Sequence, residues 1–276
     1  MKTNYHTHST WCDGKDSPET LVLAAIEKNF DEIGFSSHSM LPADLFDWTV
    51  TRAKFPSYLC EIRSLAAKYS GRIKVLCGIE ADFIPGTSFP DRKYYPGVDY
   101  IIGSVHFVKA PDGALTCVDK SPESFERDIR EHYSGSAEAF VRAYFAAERE
   151  MVASCDFDIV GHPDLVRKFN SGARFFDETS SWYKEEISRT ADAIAASGKN
   201  VEINTGAISR GWMDDAYPSK ELLGLLKARN VPLILSSDAH SADALDCAFE
   251  RFQSRIHDSR FTPIKQSDKP STKEEA

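Results

Sequence analysis

The sequence predicts an α/β fold, namely a closed or distorted (β/α) barrel of seven strand–helix units. Short apolar runs alternate along the chain with longer segments of helical period, which is the pattern of consecutive βαβ units. Several of the short runs are continuous in Val and Ile, as is typical of parallel strands covered on both faces. Seven such units fit a barrel better than the alternative, an open doubly wound sheet.

The predicted strands are short and are separated by stretches long enough for a helix. They cover residues 3–6, 32–36, 73–79, 98–105, 157–160, 200–203 and 232–235. Four helices have recognisable ends. Ser17, followed by a proline, is an expected N-cap, and Ser136 precedes a second helix. Gly198 is expected to end a third helix, while Ser219 caps a fourth that stops before Asn230.

The charge and cysteine pattern excludes several classes of protein. The net charge is −9 and no basic block occurs, which argues against nucleic-acid or anionic-membrane partners. No signal peptide is visible, and no apolar run reaches the roughly 18 residues of a membrane span. The six cysteines form no CxxC pair, which disfavours both a disulfide framework and a thiolate zinc site. We therefore expect a cytoplasmic protein with reduced thiols; the oligomeric state is not indicated.

Histidines and acids collect where the predicted strands end. Six of the eight histidines lie at or just after the carboxyl end of a strand: His6, His8, His38, His106, His162 and His240. Asp13, Glu80 and Asp238 accompany them. In parallel α/β barrels this end of the strands carries the chemistry, so side chains from separate strands can converge on one pocket. The two remaining histidines, His132 and His257, are interpreted as surface residues.

Each of these residues also has an ordinary structural interpretation. A lone histidine such as His38, His106 or His162 is more often a hydrogen-bonded loop residue than a metal ligand. Glu80 is a stronger signal, because an acid that ends an apolar strand is seldom buried without a partner. The nine residues together predict a metal centre.

The ligand types indicate which ions such a centre would take. Imidazole and carboxylate ligands favour zinc, iron or manganese over calcium or magnesium. Nine candidate ligands are too many for one ion and suit two or three. Two such ions can hold a water between them and lower its pKa towards neutrality.

At these residues the sequence resembles the PHP (polymerase and histidinol phosphatase) family, from residue 5 to about residue 250. The matching blocks are His6-Thr7-His8-Ser9, Ser36-Ser37-His38, Gly78-Ile79-Glu80-Ala81-Asp82-Phe83, Gly103-Ser104-Val105-His106, Ile159-Val160-Gly161-His162-Pro163-Asp164 and Ser237-Asp238-Ala239-His240. Further blocks are similar to the monofunctional histidinol-phosphate phosphatase branch of that family. These are residues 79–86, Glu202-Ile203-Asn204-Thr205-Gly206 and Tyr217-Pro218-Ser219.

The resemblance implies a distorted seven-stranded, TIM-like (β/α) barrel with a trinuclear site. The predicted catalytic domain covers residues 1–262. The polar tail at 263–276 is expected to be disordered. The implied ligands of the first metal are His6, His8, Glu80 and Asp238. Glu80 bridges to a second metal with His106 and His162. His38 and His240 hold a third, with Asp13 at a position where some relatives carry a histidine.

The resemblance also implies the activity, hydrolysis of L-histidinol phosphate in histidine biosynthesis by in-line attack of a metal-bridging hydroxide. Arg167 and Arg210 are the expected phosphate ligands, because a guanidinium binds a phosphate dianion through two hydrogen bonds. Their alternative interpretation is as surface arginines. Asn204 and Ser104 are further candidates for the pocket.

The leaving alkoxide requires a proton. Asp238 or His240, acting through water, is the expected source. Three acids, Asp82, Asp164 and Glu202, are candidate partners for a cationic substrate, although solvated positions would explain them equally well.

Two other functions remain open from the sequence. One is another phosphoesterase of the same type, acting on nucleotides, sugar phosphates or DNA 3′ ends. The negative net charge of the chain counts against DNA as the substrate. The other is a non-catalytic metal-binding module. The complete set of nine ligands counts against that reading, since a degenerate module should lack some of them.

Overall fold

The computed structural model describes residues 1–41 and 47–256. The predicted tail at 263–276, the end of the predicted 1–262 domain and His257 lie outside these residues.

All seven predicted strands are present, with shifted ends, and a short hairpin is added. The strands in the described residues are β1 (Thr3–Asn4), β2 (Glu32–Phe35), β3 (Lys74–Asp82), β4 (Tyr100–Ser104), β5 (Phe107–Lys109), β6 (Leu115–Cys117), β7 (Ile159–Val160), β8 (Asn200–Asn204) and β9 (Leu233–Ser236). Seven form one parallel sheet in the order β1-β2-β3-β4-β7-β8-β9, while β5 and β6 pair antiparallel.

The sheet curls into a nearly closed barrel. Beyond the ends of β1 and β9, Thr7 and Ala239 form a parallel bridge. The amide of His8 donates to the carbonyl of Ala239 at 2.8 Å. This closure brings the first and last strand ends of the chain together, and the architecture is the predicted distorted seven-stranded (β/α) barrel.

Helices connect the strands on the outside of the barrel. They are α1 (Pro18–Glu27), α2 (Phe55–Lys68), α3 (Pro122–His132), α4 (Ala137–Ser154), α5 (Ser181–Ser197), α6 (Gly206–Ser209), α7 (Lys220–Ala228) and α8 (Phe249–Ile256). Short 3₁₀ turns lie at Arg92–Tyr94, Leu165–Arg167, Ser171–Ala173 and Ala242–Ala244. None of the helices in the described ranges is long and apolar enough to cross a membrane.

The predicted helix ends are confirmed by their hydrogen bonds. The side chains of Ser17, Ser136 and Ser219 each accept a bond from the amide three residues further on, which satisfies a free donor of the first turn. Gly198 has φ 69° at the end of α5. Asn230 has φ 57° shortly after α7. Both residue types tolerate this left-handed conformation, which ends the helix.

Two apolar layers form the core. The outer layer lies between the helices and the strands, and the inner one fills the barrel at its amino-terminal end. The inner cluster consists of Tyr5, Leu76, Tyr100, Ile102, Ile159 and Ile234. The Tyr100 hydroxyl donates to the carbonyl oxygens of Tyr5 (2.5 Å) and Phe35 (3.1 Å), which ties the first two strands to β4. The opposite, carboxyl-terminal end is therefore left for polar side chains.

Candidate metal centre

All nine predicted ligands lie together at the carboxyl-terminal end of the barrel. Each comes from the end of a strand or from the loop that follows it, as the parallel topology requires. Their side-chain donors form four overlapping groups, and within each group the donors lie within 4.8 Å of one another. The groups are His6/His8/Asp238, His6/Glu80/His162, His38/Glu80/His106 and His8/Asp13/His38/His240. Because His6, His8, His38 and Glu80 each belong to two groups, neighbouring ions would share ligands.

The donor atoms at the centre are buried and lack hydrogen bonds. Nε2 of His6 and of His8, Nδ1 of His38 and Oε2 of Glu80 form no hydrogen bond within the described residues. Yet Oε2 of Glu80 is 3.2 Å from the His6 nitrogen and 3.0 Å from the His38 nitrogen. Buried polar atoms that converge without hydrogen bonds are costly unless something else occupies the space between them. Divalent cations of the zinc, iron or manganese type fit this donor set.

A second layer of carboxylates fixes the histidine rings. Glu202 lies 2.9 Å from Nδ1 of His6, and Asp82 lies 2.6 Å from Nδ1 of His106. Such bonds orient the ring so that its other nitrogen faces the centre, as outer carboxylates do in known metal sites. Asp82 and Glu202 are fully buried. Both acids hold the rings of metal-ligand candidates. They are therefore neither solvated nor in contact with substrate, the two positions that the sequence left open for them.

Electrostatics keep the central acids ionised. Burial would raise the pKa of Glu80, but the neighbouring His6, His38 and His106 hold it well below its ordinary value. Burial acts in the same direction on Asp238, and Arg210 with His6 hold its pKa well below the usual range. Ionised carboxylates at the bottom of a pocket are the form that binds cations.

The histidines respond to the same field in different ways. Burial, with His240 and His38 nearby, lowers the pKa of His8 to about 3, so its imidazole is neutral, as a metal ligand must be. Burial also disfavours a charged His106, but the carboxylates of Asp82 and Glu80 outweigh it and raise that pKa to about 10. At His106, therefore, the field of the carboxylates favours a positive charge, whereas at His8 burial and the neighbouring histidines outweigh it.

A cavity of about 800 Å³ reaches the centre from outside. Six of the nine ligand candidates line it: Asp13, His38, Glu80, His106, Asp238 and His240. The other three, His6, His8 and His162, are buried beneath them. The cavity continues past the ligands to the β5–β6 hairpin and α3, neither of which is among the predicted elements. His132, at the end of α3, also lines it, so this histidine is only partly a surface residue.

The two predicted phosphate arginines differ in position. Arg210 lines the cavity, and its Nη2 donates to Oδ2 of Asp238 at 2.8 Å. Arg167 is not among the described residues that line the cavity; its guanidinium pairs with Glu178 at 2.6 Å and with Asp164 at 3.4 Å. The next residue, Lys168, does line it. A 3₁₀ turn over Leu165–Arg167 directs the two neighbouring basic side chains to different sides, which residue type alone did not predict.

Ser104 and Asn204 lie behind the ligands and are not among the described residues that line the cavity. The Ser104 hydroxyl donates to Oε1 of Glu80 at 2.7 Å. The Asn204 amide donates to Oε1 of Glu202 at 2.8 Å. Both therefore orient carboxylates of the centre, whereas their residue types predict contact with the pocket.

Known proteins are similar to this chain in sequence and in fold. The profile of the PHP domain matches residues 4–206. The chain belongs to the PHP domain family. Its amino-acid sequence is 29% identical over 273 residues to the histidinol-phosphatase of Bacillus subtilis, covering 92% of this chain and 99% of that protein. The profile match ends before Arg210, Asp238 and His240, which lie outside the matched stretch.

Two solved structures have the same PHP-type fold. The HisK protein of Listeria monocytogenes superposes with a TM-score of 0.82 at 22% identity, covering 91% of this chain and 100% of that one. The histidinol phosphate phosphatase of Lactococcus lactis superposes with a TM-score of 0.68 at 23% identity, covering 95% and 94%. The L. lactis structure holds zinc, L-histidinol and phosphate. At these identities the two structures establish the fold.

Proposed function

We propose that this chain is a metal-dependent phosphomonoesterase that hydrolyses L-histidinol phosphate to L-histidinol and phosphate. The observation that carries the proposal is the convergence of nine ligand candidates on one end of a cavity. The likeness to the B. subtilis histidinol-phosphatase over nearly its full length supports the choice of substrate. So do the L-histidinol and phosphate bound by the L. lactis enzyme. These relatives do not favour nucleotides, sugar phosphates or DNA ends.

The proposed cofactors are two or three divalent ions of zinc, iron or manganese, held by the nine residues named above. The buried donors without hydrogen bonds support this, as does the zinc of the L. lactis structure. Such ions, when bound, lower the pKa of a coordinated water towards neutrality and offset charge on the phosphoryl oxygens. Glu80, which belongs to two groups of donors, is the proposed bridging ligand.

The chain's own cations would bind the phosphate. Arg210 and Lys168 both line the cavity, and we assign phosphate binding to them. The bond from Arg210 to Asp238 holds the guanidinium in place before substrate arrives, which lowers the cost of binding. Lys168 takes the phosphate-binding role that the sequence predicts for Arg167.

Proton transfer to the leaving alkoxide is assigned to Asp238 or His240, acting through a water that carries the proton, because the Asp238 carboxylate itself is ionised. Both line the cavity, and Nδ1 of His240 is 3.6 Å from Oδ1 of Asp238. Asp13, at 3.2 Å from Nε2 of His240, orients the ring from the other side.

The wider assignments follow from the sequence. We assign residues 1–262 to one catalytic domain, and the scattered cysteines support a reducing compartment such as the cytoplasm. The acidic net charge supports a small phosphorylated substrate over nucleic acid or membrane partners.

Kinetics with a substrate panel test the proposal. The purified protein, with its metal content measured by elemental analysis, is assayed with histidinol phosphate, nucleotides, sugar phosphates and short single-stranded DNA. We expect the highest kcat/KM for histidinol phosphate. We also expect a chelator to abolish turnover and the metal to restore it. A preference for another ester would refute the substrate, and turnover that survives complete chelation would refute the mechanism.

Variants separate catalysis from simple metal binding. Glu80→Ala and His106→Ala should each lose metal and hydrolysis, whereas His132→Ala, a histidine of the same cavity outside the ligand groups, should keep its metal. A non-catalytic module would show no hydrolysis even in the unmodified protein.

A further inference from the structure

The cavity, of about 800 Å³, is larger than a phosphate group requires. Its inner end consists of the ligand candidates with Arg210 and Lys168. The rest is lined by the β5–β6 hairpin, by α3 and by Trp48. If the phosphate lies at the inner end, as in the proposed function on which this inference rests, the alcohol part of the ester must lie at the outer end. The side chains there would determine which alcohols are accepted.

Two acids line the outer end, and only one has a free oxygen. Asp119 uses both carboxylate oxygens: Oδ2 accepts from Lys168 at 3.1 Å and Oδ1 from the Cys117 thiol at 3.3 Å. Asp128 accepts one bond, from Nη2 of Arg127 to Oδ1 at 2.9 Å. Its Oδ2 makes no hydrogen bond or ion pair among the described residues. Asp128 therefore can bind a further donor.

Burial strengthens the field of Asp128 inside the cavity. Only 8% of its side chain is exposed, whereas 50% of the Arg127 side chain is exposed. Water screens an exposed charge much more than a buried one. Lys120 is likewise exposed, and Lys168 is paired with Asp119. A cation entering the outer end would thus meet a buried carboxylate whose own partner, Arg127, is half exposed.

Aromatic rings form another part of the same wall. Trp48 and Phe107 both line the cavity, with ring centroids 6.5 Å apart and planes at 20°. The Trp48 ring also lies 4.7 Å from the ring of His38, next to the metal ligands. Aromatic faces attract organic cations and pack against flat rings. A cavity lined by both a buried carboxylate and such rings is a suitable site for an ammonium or imidazolium group.

We propose that Asp128, together with Trp48 and Phe107, binds a cationic group on the alcohol side of the phosphomonoester and so selects the substrate. Asp128 is a specificity-determining residue in this proposal and takes no part in the reaction at phosphorus. The ligand class is an alcohol phosphate that carries a protonated amine or imidazole.

The test compares Asp128→Asn with the unmodified holoenzyme on three esters. Histidinol phosphate carries both cationic groups, phosphoethanolamine carries an ammonium group alone, and phenyl phosphate carries no cation. We expect kcat/KM to fall about 10- to 100-fold for the two cationic esters, the size of a lost charged hydrogen bond. Phenyl phosphate should change by less than about 3-fold, which also reports that the variant is folded and loaded with metal.

Asp112→Asn is the matched control. Asp112 lies between β5 and β6 and pairs with His132 at 2.8 Å, but it is exposed and is not a lining residue of the cavity. It should leave all three esters unchanged.

Each outcome has a distinct meaning. If the unmodified enzyme prefers the cationic esters and Asp128→Asn keeps that preference, this inference is wrong and the proposed function stands. Equal losses on all three esters would likewise overturn it, because Asp128 would then be structural. If the unmodified enzyme does not hydrolyse histidinol phosphate, the proposed function fails. The inference survives that result only if phosphoethanolamine is still preferred over phenyl phosphate and the preference is lost in Asp128→Asn.

Discussion

Beneath the metal centre, the Glu202 carboxylate forms hydrogen bonds with several neighbouring residues. One carboxylate oxygen accepts from the backbone amide of His162 at 2.9 Å and from the amide of Asn204 at 2.8 Å. Both oxygens lie within 3.0 Å of Nδ1 of His6. One buried side chain therefore orients two ligand candidates from different strands. Charge-assisted bonds of this kind are shorter and stronger than neutral ones.

We predict that Glu202→Gln weakens metal binding while the protein stays folded. A glutamine cannot accept through both terminal atoms, so the His6 ring loses part of its support, and affinity should fall about 10- to 100-fold. Competition with a chromogenic chelator measures this. Glu32→Gln is the control, because Glu32 bonds the Tyr5 hydroxyl from β2 at the other end of the barrel. An unchanged metal affinity in Glu202→Gln would contradict the role of Glu202 in orienting the ligand candidates.

The backbone of His162 is held from its other side as well. Its φ of 21° is unusual for a residue with a side chain. The Tyr144 hydroxyl lies 3.3 Å from the His162 carbonyl and 2.8 Å from Glu148, and it accepts from the amide of Leu165 at 3.1 Å. Strained conformations at functional sites persist where the surroundings hold them.

Tyr144→Phe should therefore relax the His162 loop. We expect weaker metal binding and a lower kcat with little change in KM, because the ligand is misplaced while the outer cavity is intact. Tyr183→Phe is a matched control, since the buried Tyr183 hydroxyl forms no hydrogen bond within the described residues. If both variants behave alike, the hydroxyl of Tyr144 does not position the ligand.

At the scale of the elements, glycines in the strands make room for the residue that fills the barrel. A Cβ on Gly78 of β3 would lie 2.3–2.5 Å from atoms of the Tyr100 ring. A Cβ on Gly34 of β2 would lie 2.3 Å from the Tyr100 hydroxyl oxygen. The tyrosine therefore packs directly against the backbone of β2 and β3.

Gly78→Ala should destabilise the protein by about 1–3 kcal/mol, since the buried ring has no space to move. Gly224→Ala should change the free energy of unfolding in the opposite direction. Gly224 is exposed on α7 with nothing within 4 Å of an added Cβ, so alanine should stabilise by roughly 0.5–1 kcal/mol through helix propensity. Urea unfolding of both variants measures the difference. Similar values for the two would show that the Tyr100 contact carries no energy.

At the scale of the whole molecule, one end of the barrel contains several buried carboxylates, which repel one another when no cation is bound. Glu80, Asp82, Glu202 and Asp238 are all buried at one end of the barrel. Isolated buried charges are costly, and a cation bound only by the folded state lowers that cost.

Metal removal should therefore lower the stability of the whole domain. At a metal concentration about 100 times Kd, the bound state gains about 2.7 kcal/mol. For a domain of this size, that raises Tm by roughly 5–10 °C. Thermal unfolding with chelator and after metal is added back measures the shift. A Tm that does not depend on metal would contradict binding at this centre, and magnesium serves as the control for non-specific ion effects.

The sequence by itself determined the strands, the four capped helices and the nine ligand candidates. Each of these depends on local chemistry: apolar runs form strands, Ser17 caps its own helix, and parallel strands bring histidines at their ends to one edge. The β5–β6 hairpin was missed because its strands have only three residues each, too short for a periodic signal.

Only the tertiary structure decided which polar residues face the cavity. The sequence favoured Arg167, yet the backbone turn that follows His162 pairs Arg167 with Glu178 and places Lys168 at the cavity. Asp82 and Glu202 became supports of histidine rings, because only distances across strands show what a buried acid contacts. Asp128 lines the cavity because it lies on α3, a helix that is not among those predicted from the sequence. Residue types predict which ligands are available, whereas the direction of each side chain depends on packing between elements far apart in the chain.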